Sequence, residues 1–302
     1  MSILRLGVIG LSSGNGHPFS WSAICNGFNL SEMKNCGFPA IPAYLSEQKF
    51  PEACIADAFV THVWTQDRSI SHQIANASLI DHVVDRFDDM IGEIDALLLA
   101  RDDAENHMQF ALPFLDAGIP VYIDKPIALS QAALQQLLAA QKYPGQIFTC
   151  SALKYAPELQ INDIQRRSLG KLKIINAMTP KSWEKYAIHI IEPLLELIGD
   201  QGEIISKKRC ERNGDVVRLL LVWSSGLQAS ISSMGDNVNC PISIRVMGET
   251  DYADLVFKDS FTAFKAALLD FIDGIRTNVA KTDIDRLSEI VGIVEVGLHD
   301  GR

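Results

Sequence analysis

The chain has 302 residues, of which 47% are hydrophobic and 21% charged, a balance that suits a globular protein with a real core and room for two domains. A formal net charge of −10 excludes the broad basic surface that nucleic-acid phosphates require, so no nucleic-acid partner is expected, although a local basic pocket for an anionic substrate is compatible with it. No apolar run reaches the ~20 residues of a bilayer span, and the apolar start Met1 to Gly10 lacks an extended signal-peptide core and a small-residue cleavage site. Neither a membrane partner nor export is therefore expected.

The six cysteines, Cys25, Cys36, Cys54, Cys150, Cys210 and Cys240, are scattered without a CxxC pair. This fits a reducing, cytoplasmic compartment and no metal site. His62, His72, His82 and His299 likewise show no metal-ligand spacing.

In chain order, Ile3 to Ile9 reads as a first strand. A Gly/Ser/Asn loop follows from Gly10 to His17, and Pro18 stands in the first turn of a helix over Phe19 to Phe28. Phe59 to Trp64 is a strand, Ser71 to Ala77 a helix, and Val83-Val84 a short apolar pair. Met90 to Ile94 reads as a short helix, Ala96 to Ala100 as a buried strand, and Asn106 to Ala117 as a helix that stops at Gly118. Pro120 to Ile123 and Gln146 to Cys150 are further strands, separated by a helix that Ser130 caps. This alternation predicts a parallel Rossmann-type sheet with helices on both faces.

The character changes near residue 152. After a helix over Pro157 to Ser168, β-like stretches follow at Lys173 to Ala177, Ile204 to Cys210, Val216 to Trp223, Leu227 to Ser232 and Ile242 to Met247. The turn pairs Asn213-Gly214 and Ser225-Gly226 predict hairpins and a mostly antiparallel open sheet. Helices over Phe261 to Ile275 and Asp283 to Leu298 close the chain. The fold class is α/β, with residues 1–152 as a dinucleotide-binding domain and 153–302 as an α+β domain for substrate and self-association.

A strand, a glycine-bearing loop and a helix form a phosphate-binding arrangement, because loop N–H groups and the helix N-terminus both favour anions. Gly10, Ser12, Ser13, Gly14, Asn15 and Gly16 are its candidates here, with Ser12 in place of the second glycine of the usual fingerprint. A tight turn without a ligand is the alternative reading. The second strand ends in Thr65-Gln66-Asp67-Arg68, with no carboxylate directly after it for a ribose 2′-hydroxyl. Thr65, Gln66 and Arg68 are thus cofactor candidates that suit a 2′-phosphate, against a reading of Asp67 and Arg68 as solvated loop charges.

Three further segments carry a family resemblance. Ile94 to Ala100, followed by a helix and Ala117-Gly118-Ile119-Pro120-Val121-Tyr122-Ile123-Asp124-Lys125-Pro126, resembles the glucose-fructose oxidoreductase / inositol dehydrogenase / MocA-like family, whose fifth strand ends in an acidic residue, Lys and Pro. Lys154-Tyr155-Ala156-Pro157 and Ile188-His189-Ile190-Ile191-Glu192 are similar to two other segments of that family. The resemblance implies an NAD- or NADP-dependent oxidoreductase acting on sugars, nucleotide sugars or polyols, assembled as a homodimer or homotetramer. It also implies Lys125 and His189 as catalytic residues, and by position in that fold Ala100, Arg101, Asp102, Lys125 and Pro126 are cofactor candidates; Tyr155 is a substrate candidate, as are Lys185, which could hold an anionic substrate, and Trp183 because it lies beside Lys185. The sequence departs from the family at Ser12, at Arg101-Asp102 where Thr-Pro is usual, and at Lys185, which stands where an Asp normally precedes the histidine by four residues. A second reading keeps the fold and drops the reaction: a cofactor-bound sensor or structural subunit.

The chemistry suits these residue types. Proton transfer during hydride transfer wants a group that titrates near the working pH, as histidine does without adjustment. A lysine needs burial or a neighbouring cation to do the same. Four residues apart on a helix, Lys185 and His189 share a face; a solvated lysine beside a core histidine is the plainer alternative. The segment His17-Pro18-Phe19-Ser20-Trp21 is unusual after a glycine loop and is read as capping the cofactor or shaping the substrate cleft.

Overall fold

The structure is a computed structural model that describes residues 2–210 and 214–298. Asn213 and His299 lie outside the described residues. The chain forms two compact units. The first comprises the described part of Met1–Ala128 with Ala132–Cys150 and Phe264–Asp283; the second comprises Leu129–Gln131, Ser151–Ala263 and the described part of Ile284–Arg302.

The first unit holds a six-stranded, all-parallel sheet of β1 (Leu4–Ile9), β2 (Ala58–Trp64), β3 (His82–Val83), β4 (Ala96–Leu99), β5 (Val121–Ile123) and β6 (Ile147–Phe148), in the order β3-β2-β1-β4-β5-β6. That is the doubly wound order, in which the strand sequence reverses beside β1 and ligands collect at the strands' C-terminal ends. The central strands read as unbroken apolar runs because both faces are covered: Ala96, Leu97, Leu98 and Leu99 are all fully buried. The helices are α1 (His17–Asn26), α2 (Leu30–Met33), α3 (Ala40–Ser46), α4 (Arg68–Ser78), α5 (His107–Asp116) and α6 (Gln131–Ala139).

Three local readings change. The Met90 to Ile94 helix is instead a short 3-10 turn over Phe87–Met90, because Gly92 at φ +94° breaks any continuation. The segment between the first helix and β2, with no assigned elements in the sequence reading, contains α2, capped by Asn29, and α3. The helix over Pro157 to Ser168 is interrupted: a turn at Pro157–Leu159 is followed by a fresh start at Asn162, whose side chain caps α7 (Asp163–Leu169).

The second unit carries β7 (Leu172–Thr179), β8 (Ile204–Arg209), β9 (Val217–Trp223), β10 (Gln228–Ser233), β11 (Ser243–Gly248) and β12 (Tyr252–Val256), ordered β12-β11-β7-β10-β9-β8. All neighbours are antiparallel except β7 and β10. The β9–β10 hairpin turns at Ser225-Gly226, where Gly226 adopts φ +88°. From Ile174 onward side chains alternate along β7, with Ile175, Ala177 and Thr179 buried and Ile174 and Met178 at 44% and 39% exposed. Helices α8 (Trp183–Tyr186), α9 (Ile188–Ile198) and α11 (Ile284–Leu298) belong to this unit.

Between α9 and α11 in the chain, α10 (Ser260–Thr277) contributes Phe264 onward to the first unit. Its Phe271 packs against Tyr122 and Phe148, at 5.6 Å from each ring centre. Residues 264–283, which the sequence reading groups with the second domain, thus complete the core beneath β5 and β6. The chain pattern shows an amphipathic helix there; which core accepts its apolar face is a tertiary matter.

Candidate active site

In the first unit, the loop after β1 is tied to the ends of the neighbouring strands. Gly10 is required because Pro18 closes in behind it: a Cβ there would stand 2.3 Å from the proline ring. Gly14 turns at φ +80° with nothing within 4 Å of where a Cβ would sit, so the loop is open on that side. Two polar side chains of the loop, Ser12 and Asn15, are turned inward. Ser12 donates to Asp102 Oδ1 at 2.6 Å and accepts from the Asp102 N–H at 3.0 Å. Asn15 donates to Asp124 Oδ2 at 2.7 Å. With both side chains directed back into the fold, the open side of the loop and the ten-residue helix α1 behind it suit the pyrophosphate of a dinucleotide.

A second set of bonds joins the loop to β2 and β4. The Gln66 side chain donates to Leu11 O at 2.7 Å and accepts from the Leu11 N–H at 3.2 Å. Arg101 is buried, donates to Gln66 Oε1 and Leu11 O, and forms a two-point pair with Asp103. Its guanidinium also lies over Phe110 at 4.8 Å. Gln66, Arg101, Asp102 and the glycine loop are therefore brought together, with Ala100 buried between β4 and Arg101. Thr65 and Arg68 are placed differently. The Thr65 hydroxyl donates to Asp67 O inside its own turn, and the exposed Arg68 pairs with Asp85.

Asp124 and Lys125 end β5. Lys125 is 4% exposed, and its Nζ lies 3.8 Å from Asp102 Oδ2. The Asp124 carboxylate accepts the Lys125 N–H at 2.8 Å, and its other oxygen takes both Asn15 and His17 Nδ1, the latter at 2.6 Å. Burial alone pushes this carboxyl up. The charges of His17 and Lys125, with the bonds from His17 and Asn15, outweigh burial and hold it at about 2.

A folded-state value depressed below the usual carboxylate range contributes stability above that range and loses it as pH falls through the folded value. The shift from 3.8 to about 2 corresponds to about 2 kcal/mol. Urea midpoints of wild type should therefore fall between pH 5 and pH 2 by more than those of Asp124→Asn; equal slopes would refute the assignment.

The second unit builds its own polar cluster around α9. His189 is 7% exposed, and its Nδ1 lies 2.9 Å from the buried Ser151 hydroxyl. Tyr186 meets the His189 ring edge-on at 5.1 Å and accepts from Lys181 Nζ at 2.6 Å. Glu192, one turn further along α9, accepts the Ser151 N–H at 2.5 Å and pairs with Lys154 at 3.3 Å. Burial pushes the Glu192 carboxyl up, against the pull of Lys154 and the Ser151 N–H. Lys154 also lies over the Tyr155 ring at 5.1 Å.

Lys185 is half-buried on α8, one turn before His189. Trp183 is 3% exposed, donates its indole N–H to Val294 O at 2.9 Å and lies where a Cβ on Gly297 would be. Its surroundings are thus the packing against α11. Ser151 and Asp124 carry no candidate role in the sequence reading. Asp124 was within reach of it, as the charge beside Lys125, whereas Ser151 has no local signal because its partner stands 38 residues away.

Comparison with known proteins adds the following. Residues 37–151 match the GFO_IDH_MocA model, an oxidoreductase family with an NAD-binding Rossmann fold. No curated protein matches the chain by sequence. Among solved structures, the chain is similar to myo-inositol 2-dehydrogenase from Lactobacillus plantarum at TM-score 0.71 and 14% identity, covering 97% of this chain and 96% of that one. It is also similar to GenD2 from gentamicin A biosynthesis in complex with NAD, at TM-score 0.72 and 13% identity, over 99% and 94%. A third is UDP-N-acetylglucosamine 3-dehydrogenase GnnA from Acidithiobacillus ferrooxidans, at TM-score 0.70 and 14% identity, over 99% and 98%. At these identities the likeness concerns the fold.

Proposed function

We propose that this chain, whose residues 37–151 match the Gfo/Idh/MocA oxidoreductase family, is an NAD(P)-dependent dehydrogenase or reductase of a sugar, nucleotide sugar or polyol. The observation that carries this reading is Lys125, buried at the C-terminal end of the internal parallel strand β5, next to Asp124, which also accepts a hydrogen bond from Asn15 of the open glycine loop. In this reading Gly10, Ser12, Ser13, Gly14, Asn15 and Gly16 with the head of α1 take the pyrophosphate. Thr65, Gln66 and Arg68 take the adenosine side, and Ala100, Arg101, Asp102, Lys125 and Pro126 take the nicotinamide side. When bound, the nicotinamide supplies the hydride acceptor or donor. Lys125 hydrogen-bonds the reacting oxygen, and His189 binds substrate or moves its proton, with Tyr155 and Lys185 as further substrate contacts.

The printed names of the similar structures, an inositol dehydrogenase and a sugar-nucleotide dehydrogenase, set the first panel to test. Oxidised cofactor mixed with myo-inositol, UDP-N-acetylglucosamine and related polyols and sugar nucleotides should yield reduced nicotinamide with at least one of them. A cofactor that binds and stays oxidised across the panel would favour the sensor reading.

The phosphorylated cofactor should bind more tightly. The only acidic group in the turn after β2, Asp67, caps α4 by accepting the Ser69 N–H at 2.8 Å, and the exposed Arg68 would exchange its surface pair with Asp85 for a 2′-phosphate. In competition binding, NADP should exceed NAD, and Arg68→Ala should remove the difference. NAD binding that equals or exceeds NADP binding, unchanged by Arg68→Ala, would refute this.

A homodimer or homotetramer should form through the second unit's sheet. Ile174 and Met178 on β7 and Leu220 on β9 stay exposed on strands whose alternate residues are buried, a face that a second copy would cover. Light scattering should give a multiple of the 33.3 kDa chain mass at micromolar concentration. A monomer throughout would contradict it.

A further inference from the structure

His17 has a geometry that none of the roles above uses. Helix α1 does not need its ring, because the backbone N–H of His17 makes the local bond, to Asn15 Oδ1 at 2.8 Å. The ring is nevertheless fixed from three directions. It stacks on Trp21 at 4.9 Å and 16°, meets Phe264 edge-on at 5.0 Å, and places Nδ1 2.6 Å from Asp124 Oδ2. Trp21 stacks in turn on Tyr122 of β5 at 4.6 Å, so the aromatic wall is anchored in the sheet.

The charged groups on this side are Asp124, Lys125 and Asp102. The Asp124 carboxylate is fully buried and accepts three hydrogen bonds, from Asn15, His17 and the Lys125 N–H. An ionised carboxylate has only acceptors, so the proton in the His17–Asp124 bond belongs to Nδ1. In the neutral ring Nε2 is then the acceptor, and among the described residues it has no hydrogen-bond partner.

We propose that His17 is a proton-transfer residue at the strand ends of the first unit: Asp124 holds its ring as the Nδ1–H tautomer, and Nε2 exchanges the proton of the substrate oxygen. The proposal rests on the oxidoreductase reading. In the oxidative direction the carbinol C–H bond breaks and its electron pair leaves as hydride for the nicotinamide, which is reduced. The O–H bond breaks as C=O forms, and that proton passes to Nε2; in the reductive direction the imidazolium returns it. A carboxylate that fixes tautomer and orientation, with rigid walls around the ring, is the preorganisation such a step requires.

Long-range nitrogen–proton NMR of the imidazole rings tests the tautomer, and acylation by diethyl pyrocarbonate, located by peptide mass mapping, tests access to Nε2. The His17 signal is assigned by its loss in His17→Gln; the peptide mapping needs no variant. The neutral His17 ring should be Nδ1–H, and cofactor at ten times its dissociation constant should slow His17 acylation about tenfold. An Nε2–H tautomer, or unchanged acylation with cofactor bound, would overturn the proposal alone. Absence of nicotinamide binding in the same samples, read from tryptophan fluorescence, would overturn the oxidoreductase reading and the proposal with it.

Discussion

Lys125→Ala should lose about 10²–10³ in saturated turnover while cofactor affinity falls far less. The ammonium is buried and forms an ion pair with Asp102, Nζ standing 3.8 Å from Oδ2. An ammonium at a strand end can hydrogen-bond the oxygen whose charge changes during hydride transfer, and removing one such donor typically costs that much in rate. Most cofactor contacts, in contrast, would come from the glycine loop and the ribose region. A lysine that merely held a ribose or phosphate would behave in the opposite way, with weak cofactor binding and normal turnover at saturation. Affinity and saturated rate measured on the same variant separate the two, and normal saturated turnover would defeat the catalytic role.

The second large effect belongs to Asp124→Ala. This carboxylate is the shared acceptor of Asn15, His17 and the Lys125 N–H, and the Lys125 charge helps to keep it ionised. Truncating it leaves those donors without an acceptor and removes the buried carboxylate that pairs with His17. Breaking a buried pair in this way costs about 3–5 kcal/mol. Chemical denaturation of the variant should show a midpoint shift of that size at neutral pH, with the m-value unchanged. A loss below about 1 kcal/mol, as for an exposed pair, would mean that Asp124 is solvated. Asp124→Asn retains the volume and one acceptor and should fall between the two.

The parallel sheet was legible because strands buried on both faces form compact apolar runs, and Gly10, Gly118 and Pro120 punctuate them where the chain turns. The edge strand β3 has only two residues, too few for a period, and α2 and α3 lie in a Gly-, Asn- and Pro-rich segment that reads as loop. The parallel pairing of β7 with β10 depends on register across the chain, which hairpin signals do not carry.

The same limit applies to the candidate site. Each strand end was visible, but not who meets whom. Ser12 and Asp102 are 90 residues apart and Asn15 and Asp124 are 109 apart, yet these two pairs turn the polar side chains of the glycine loop inward onto the strands. The family match starts at residue 37, after the loop that carries Ser12. Trp183 shows the converse: its position beside Lys185 suggested substrate, whereas its surroundings are the packing of α11.

The account turns on whether the first unit takes a nicotinamide dinucleotide, and the most direct measurement is a calorimetric titration of the purified chain with NADH and NADPH. It should give saturable binding at one site per chain for at least one of them. Replacing Gly14, whose open side faces no neighbour, by Asp should weaken that binding through like charge at the pyrophosphate position by more than Gly14→Asn does, since both variants carry the same strain at φ +80° and only one carries the charge. No binding of either dinucleotide at millimolar concentration would contradict the account.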